Sequence, residues 1–192
     1  MTGPTNRAGA GMLDLIDRAR NGDRDAFGVL ASASIDRLYA IAVRVLHDQD
    51  RAQDAVQTAL LQAWVQMPSL RDTTRFDAWL YRTLIRTCYG EARRQRAFVT
   101  SVRSMEAEPA DTDASRNVAD RDQLERAFRR LPIEQRAVVV LHHYEALPLT
   151  EVAEALGIPV GTARSRLHYA MRTLRAAVEA DARPVASEGR PA

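Results

Sequence analysis

The sequence predicts an all-α fold made of two small helical domains joined by a flexible acidic linker, the C-terminal one a helix-turn-helix. Three observations carry this. Ala, Leu, Arg, Gln and Glu dominate a chain of 192 residues with only nine Gly, a composition that favours helix. Apolar residues recur at helical spacing, while alternating β-branched runs are few. The stretch TSVRSMEAEPADTDASRNVADRD at 100–122 has almost no large apolar residue and carries three arginines against six acids. Such a segment cannot bury enough surface to offset its ordering entropy, so it reads as a linker. The domains are therefore placed at 12–98 and 122–182, with the linker at 99–121. The first ten or so residues and the tail from Arg183 are expected to be disordered for the same reason.

The first domain reads as four helices. Leu13, Leu15, Ile16 and Ala19 start an amphipathic segment that stops at Asn21-Gly22. A longer helix begins near Asp23 and places Phe27, Leu30, Ile35, Leu38, Ile41, Ala42, Val45 and Leu46 at helical spacing. His47-Asp48-Gln49-Asp50 breaks it and supplies a cap for the third helix. That helix presents Ala52, Ala55, Val56, Ala59, Leu60, Ala63 and Trp64 on one side and ends at Pro68. The loop MPSLRDTTRF leads into a fourth, FDAWLYRTLIRTCYGEARRQR, whose Trp79, Leu80, Thr83, Leu84, Thr87 and Cys88 form a candidate buried stripe.

The second domain also reads as four helices. Asp120–Leu131 comes first, and Pro132 starts IEQRAVVVLHHYEA. TEVAEALG and VGTARSRLHYAMRTLRAAVEA close the chain's ordered part. Pro148 and Pro159 each stand just before a helix start, where a missing N–H costs nothing.

Several function classes are disfavoured. No continuous apolar run approaches bilayer length, and MTGPTNRAGAGM has no apolar core behind its arginine. A cytoplasmic protein without membrane insertion is expected. The lone Cys88 excludes an intramolecular disulfide and a multi-cysteine metal site. His142 and His143 are adjacent, so in a helix they point to different faces and do not chelate as i,i+4 ligands would. His47 and His168 are isolated, and GIPVGTAR lacks the lysine of a phosphate-binding loop. No catalytic residue, metal or cofactor is assigned, and an enzyme is not expected. All 27 basic residues are arginine. A GC-rich genome accounts for that by itself, although the planar guanidinium also suits phosphate and guanine recognition.

Three features remain. In the last helix pair, Val152, Ala155 and Leu156 form an apolar side, Gly157 takes the left-handed turn, and Ile158 tucks beneath it. Val160, Ala163, Leu167, Ala170, Met171 and Leu174 then line a core. Thr162, Arg164, Ser165, Arg166, His168 and Arg172 are left outward. A solvated αα-hairpin has the same apolar pattern. The acid-free run from Val160 to Val178 favours DNA, because a solvated face mixes signs to form i,i+4 pairs. Second, aromatics Phe76, Trp79, Tyr81 and Tyr89 interleave with Arg75, Arg82, Arg86, Arg93 and Arg94, as single-strand surfaces do. Phe76 and Trp79 are equally explained as core, and the basic loop 69–75 is the better place for an unstacked base. Third, Asp50, Asp54 and Gln57 share one face of the third helix. They suit either a basic partner helix or a solvated face whose acids favour the helix N-terminus.

In this order, DAVQTALLQAW, WLYR…RR and LTEVAEALGIPVGTARSRLHYAMRTLR resemble the extracytoplasmic-function (ECF) sigma factors of bacterial RNA polymerase over residues 12 to 178. The resemblance implies a promoter-recognition subunit without catalysis of its own. Its first domain (region two) would bind the β′ clamp helices of core polymerase through Asp50, Asp54 and Gln57. The loop and fourth helix, with Arg71, Thr74, Arg75, Arg82, Arg86, Arg93 and Arg94, would read and melt the minus-ten element and capture a flipped base. The second domain (region four) would place residues 160–172 in the major groove of the minus-thirty-five element and touch the β flap. The linker would thread toward the RNA exit path. An anti-sigma partner is common in that family, though nothing in this sequence encodes one. The chain departs from the usual pattern at Thr58, which weakens the acidic strip. It departs again at Arg86, expected to add a phosphate contact, and at Gly90, expected to loosen the helix end. Alternatives from other classes are a stand-alone dimeric helix-turn-helix transcriptional regulator and a protein-only adaptor with a solvated arginine face.

Overall fold

In the computed structural model, which describes residues 5–103 and 119–181, every regular element is helical and no strand occurs among the described residues. Helix α1 spans Thr5–Arg20. It begins earlier than composition suggested, so residues 5–10 are helical and not irregular. Gly22, at φ 92°, turns the chain. Asp23 then caps α2 (Arg24–Leu46) by accepting from the Ala26 amide at 3.0 Å.

Helix α2 meets the length and composition of a membrane-crossing helix, which a search for unbroken apolar runs missed. Its apolarity is explained by its place in the core. Ala26, Leu30, Leu38, Ile41, Ala42 and Val45 are buried, and α2 packs against α1, α3 and α4. His47 ends α2 in the left-handed conformation (φ 54°) and donates its amide to Val43 at 2.7 Å. Asp48 caps α3 (Gln49–Gln66) through the Arg51 amide at 3.0 Å.

Pro68 and Asp72 shape the next loop into two single 3-10 turns, Met67–Ser69 and Thr73–Arg75. Helix α4 follows as Phe76–Arg103. It runs without a break through Gly90 and into the segment read as linker. Gly90 has no neighbour that a Cβ would meet, so its cost is the modest helix-propensity penalty alone. The middle of the acidic spacer lies outside the described residues, as does the tail from Arg183.

The second half contains α5 (Ala119–Arg130), α6 (Ile133–Val139), a π-helical turn at Val140–Tyr144, α7 (Leu149–Leu156) and α8 (Val160–Asp181). The sequence reading had α6 continuing unbroken to Ala146. Instead the helix widens, with the Glu145 amide donating to Val140 at 3.1 Å, and Ala146 turns the chain at φ 54°. The His142 and His143 rings lie 4.8 Å apart, His142 half-buried with its Nδ1 2.7 Å from the Leu147 carbonyl oxygen and His143 exposed.

The two halves are not independent beads. One core cluster includes Leu38, Ile41, Val45, Leu80, Leu84 and Cys88 from the first half. It also includes Ile133, Val138, Leu141 and Val152 from the second. Burying each such aliphatic side chain is worth about 1.5–3 kcal/mol, so the seam contributes to the stability of both halves. A smaller cluster of Ala127, Leu131, Val139, Ala170 and Leu174 ties α5 and α6 to α8.

Candidate nucleic-acid interface and docking groove

The α7–α8 corner is fixed by its backbone. Gly157 sits at φ 66° and its amide donates to Glu154 at 3.0 Å, while the Ile158 amide reaches back to Ala153 at 3.0 Å. These two bonds form a Schellman closure. Ala153, 2% exposed, lies beneath the crossing, where a larger side chain would force the helices apart. Ala163, Ala170 and Leu174 of α8 are buried, and Leu167 and Met171 are half-buried. Val160, expected inside, is exposed because it occupies the first turn beyond the corner.

This packing orients the rest of α8. Arg164, Ser165, His168 and Arg172 are exposed, and Thr162 and Arg166 are half-buried. Arg166 lies close enough to the Tyr89 phenol to act on it electrostatically. Ser165 bonds back to the Thr162 carbonyl at 3.0 Å, and Arg172 lies over Tyr169. An acid-free strip of guanidinium, hydroxyl and imidazole groups results between Thr162 and Arg172, with the composition that major-groove readers use for phosphates and guanine.

The loop before α4 makes a second basic site. Asp72 accepts from the Thr74 amide at 3.0 Å and from its hydroxyl at 2.6 Å. These bonds hold the Asp72 carboxyl below its usual pKa. Arg75, which follows Thr74, lines a small pocket together with Leu70, Asp72, Trp79, Arg82 and Glu154. Arg71, Arg75, Arg86, Arg93 and Arg94 are exposed, and Arg82 is half-buried. The aromatic half of the expected single-strand surface is corrected. Phe76 and Tyr81 are 6% and 3% exposed and belong to the core, because their i,i+4 neighbours Leu80 and Ile85 face α2 and α3. Trp79 and Tyr89 remain half-buried, Trp79 in the pocket beside Arg75 and Arg82 and Tyr89 near Arg166. Cys88 is fully buried, and desolvation pushes its thiol up to about 12.

Asp50, Asp54 and Gln57 are all exposed on α3. The structure adds what the sequence reading lacked, a groove between α2 and α3. It is lined by Phe27, Ile35, Tyr39, Gln57, Leu61 and Trp64. Trp64 packs on Phe27 with ring centroids 5.2 Å apart, forming its floor. Ile35 and Leu61, which the helical period alone assigns to opposite fates, are 44% and 63% exposed on its two rims. Their signal in the sequence was that Leu61 and Val65 fall off the alanine stripe of α3.

The contacts across the seam were also invisible in the sequence. Arg75 pairs with Glu154, and the Arg82 guanidinium donates to the Glu154 carbonyl. Tyr81 donates its hydroxyl to Glu145 at 3.1 Å, and Arg44 stacks 3.5 Å from the centre of the Tyr144 ring. His47 meets Phe128 edge-on at 5.4 Å.

Comparison with known proteins yields a consistent set of matches. Residues 30–98 match the model of Sigma-70 region 2, and residues 121–174 match that of Sigma-70 region 4. The RNA polymerase sigma-E factor of Streptomyces coelicolor is 35% identical over 158 residues, covering 81% of this chain and 89% of that one. The ECF RNA polymerase sigma factor SigL of Mycobacterium tuberculosis is 36% identical over 143 residues, covering 72% and 80%. Two solved structures share the fold. CnrH in complex with the cytosolic domain of CnrY has a TM-score of 0.65 at 23% identity, covering 88% of this chain and 98% of that one. The sigma factor RpoE of Bartonella quintana, solved with the anti-sigma factor NepR, has a TM-score of 0.64 at 24% identity, covering 81% and 98%.

Proposed function

Because the chain belongs to the ECF sigma factors of RNA polymerase and so directs promoter-specific transcription initiation, we propose how its surfaces divide that work. Helix α8 enters the major groove of the minus-thirty-five element with Arg164, Ser165, His168 and Arg172 foremost. Thr162 and Arg166 approach from the half-buried side. The loop with Arg71, Thr74 and Arg75, and the α4 residues Arg82, Arg86, Arg93 and Arg94, engage the minus-ten strand. A displaced base would enter the pocket beside Trp79. Domains 12–98 and 122–182 thus read two promoter elements.

Core polymerase docks on α3. The exposed carboxylates of Asp50 and Asp54 and the Gln57 amide meet a basic helix of the β′ clamp, and the α2–α3 groove receives its apolar residues. The β flap meets the second domain. An anti-sigma factor, of the kind solved on the Bartonella relative, would act by covering these surfaces. The stand-alone regulator is disfavoured because region 2, matched over 30–98, accounts for the half it would have to treat as a sensor.

The observation that carries the reading is the exposed face of α8 that is acid-free from Val160 to Val178 and held by a closed Schellman corner. Its test is Arg164→Ala. This residue is exposed, so the fold is unaffected, and promoter binding by holoenzyme is expected to weaken by about 1–3 kcal/mol with a shallower salt slope. Core binding stays intact. Unchanged promoter affinity and salt slope would refute the groove assignment.

A further inference from the structure

Tyr169 stands on the outward side of α8, 51% exposed, and none of the surfaces assigned above uses it. At 3.6 residues per turn it lies about 40° around the helix from Ser165 and about 60° from Arg172. It therefore shares the exposed arc of two residues placed foremost in the groove, while Ala163, Ala170 and Leu174 hold the opposite side in the core. From Thr162 to Arg172 the helix rises about 15 Å, or about four base-pair steps, so Tyr169 falls within the same short stretch of duplex. The ring is held in place. The Arg172 guanidinium lies 5.6 Å from its centre, and the His168 imidazole meets it nearly edge-on at 5.7 Å. The backbone beneath is tied by the Thr173 hydroxyl, which donates to the Tyr169 carbonyl at 3.1 Å. A tyrosine side chain has two χ angles, so docking removes little freedom from a ring already braced.

A braced apolar ring has few partners on a duplex. Base edges in the major groove present hydrogen-bond donors and acceptors, and the apolar group among them is the C5-methyl of thymine. Phosphates and guanine suit the arginines beside the ring and not the ring itself. We propose that Tyr169 is a specificity-determining residue of α8, its ring packing on the C5-methyl of a thymine in the minus-thirty-five element. The inference rests on the placement of α8 in the major groove. The selection comes from the ring and not from the phenol hydroxyl, since a hydroxyl on a phosphate positions the protein without choosing a base. The contact that holds the ring also braces Arg172, so guanidinium and ring enter the groove as one unit. The face of α8 thus reads two kinds of base edge, polar ones with its arginines and a methyl with Tyr169.

The test uses holoenzyme assembled from core polymerase and the full-length chain. It first selects its promoter from duplex DNA randomised across the minus-thirty-five element. The selected duplex is then made with deoxyuridine in place of each thymine in turn, which removes the methyl and nothing else. At least one position is expected to lose about fourfold in affinity, the effect of one buried methyl group. Tyr169→Phe keeps this discrimination. Tyr169→Ala binds the thymine and deoxyuridine duplexes alike at that position, and its own selection from the library relaxes there. Because Tyr169 is exposed, the alanine variant keeps its fold, which thermal melting checks, and its association with core polymerase. Three results overturn the proposal: a selected element in which no thymine methyl is sensed, a penalty that persists at every sensed position in Tyr169→Ala, or one that vanishes in Tyr169→Phe. Arg164→Ala separates this from the underlying reading. If it weakens promoter binding while no methyl is sensed, the thymine contact is wrong and the groove assignment stands. If Arg164→Ala binds the promoter undiminished, the groove assignment itself fails.

Discussion

Leu61 offers the sharpest test of the docking groove. It is 63% exposed on α3, on the rim of the groove whose floor is Trp64 and Phe27. Burying a whole leucine side chain is worth about 1.5–3 kcal/mol. The part of Leu61 still in water therefore has about 1–2 kcal/mol to contribute on docking, or about five- to thirtyfold in affinity. Leu61→Ala should weaken association with core polymerase by that factor. The free chain should melt within a degree or two of the original, since alanine suits an exposed helix position. Val65 is the control. It is still more exposed, at 76%, on the same helix but outside the groove, so Val65→Ala should leave affinity unchanged. The assay is titration of labelled chain against purified core polymerase. Equal losses in both variants, or none in Leu61→Ala, would refute the groove as the docking surface.

Other outcomes follow from the packing. His47 is packed against Phe128, desolvated, and faces Arg136 and Arg129 with Glu125 as the opposing charge; its pKa is held near about 4, down from 6.5. The folded state binds fewer protons than the unfolded one, so stability is full above pH 6.5 and is lost as pH falls toward 4. Screening at a half-open ring leaves about 1–2 kcal/mol of this dependence. In thermal melts His47→Asn, which tolerates the left-handed backbone, should flatten it, and an unchanged pH profile would count against the cause given. Leu141→Ala should cost about 2–5 kcal/mol. Because Leu141 belongs to the shared core, calorimetry should show both halves losing stability; a shift in only one of two resolved transitions would contradict a shared core. Gly157→Ala places a Cβ at φ 66°, costing about 1–2 kcal/mol and lowering Tm by about 2–8 °C. An unchanged Tm would mean the corner relaxes.

Local signals were legible where one residue decides one event. The helix start near Asp23, the cap within His47–Asp50, the turn at Asn21-Gly22, the break at His47 and the corner at Gly157 could all be placed from sequence, because capping and left-handed turns are short-range physics. The π-helical turn was not legible. VVVLHHY is a uniform apolar run until its histidines, and nothing in it signals a wider helix. The burial of Tyr81 was missed, and that of Phe76 left open, for a different reason. An aromatic beside arginines satisfies a stacking surface and a core stripe alike, and only the position of α2 and α3 decides between them. The α2–α3 groove depends on how two consecutive helices cross, and the Glu154 contacts on how the two halves meet. Neither geometry is contained in a local window of sequence.

Helix α7 connects these long-range contacts to the readable ones. Its C-terminal turn orients α8 through the Gly157 and Ile158 bonds, and the same turn presents the Glu154 carbonyl to Arg82. A substitution that disturbs this turn therefore acts at once on the orientation of α8 and on the partner of Arg82, whereas one at the exposed Arg164 acts on α8 alone.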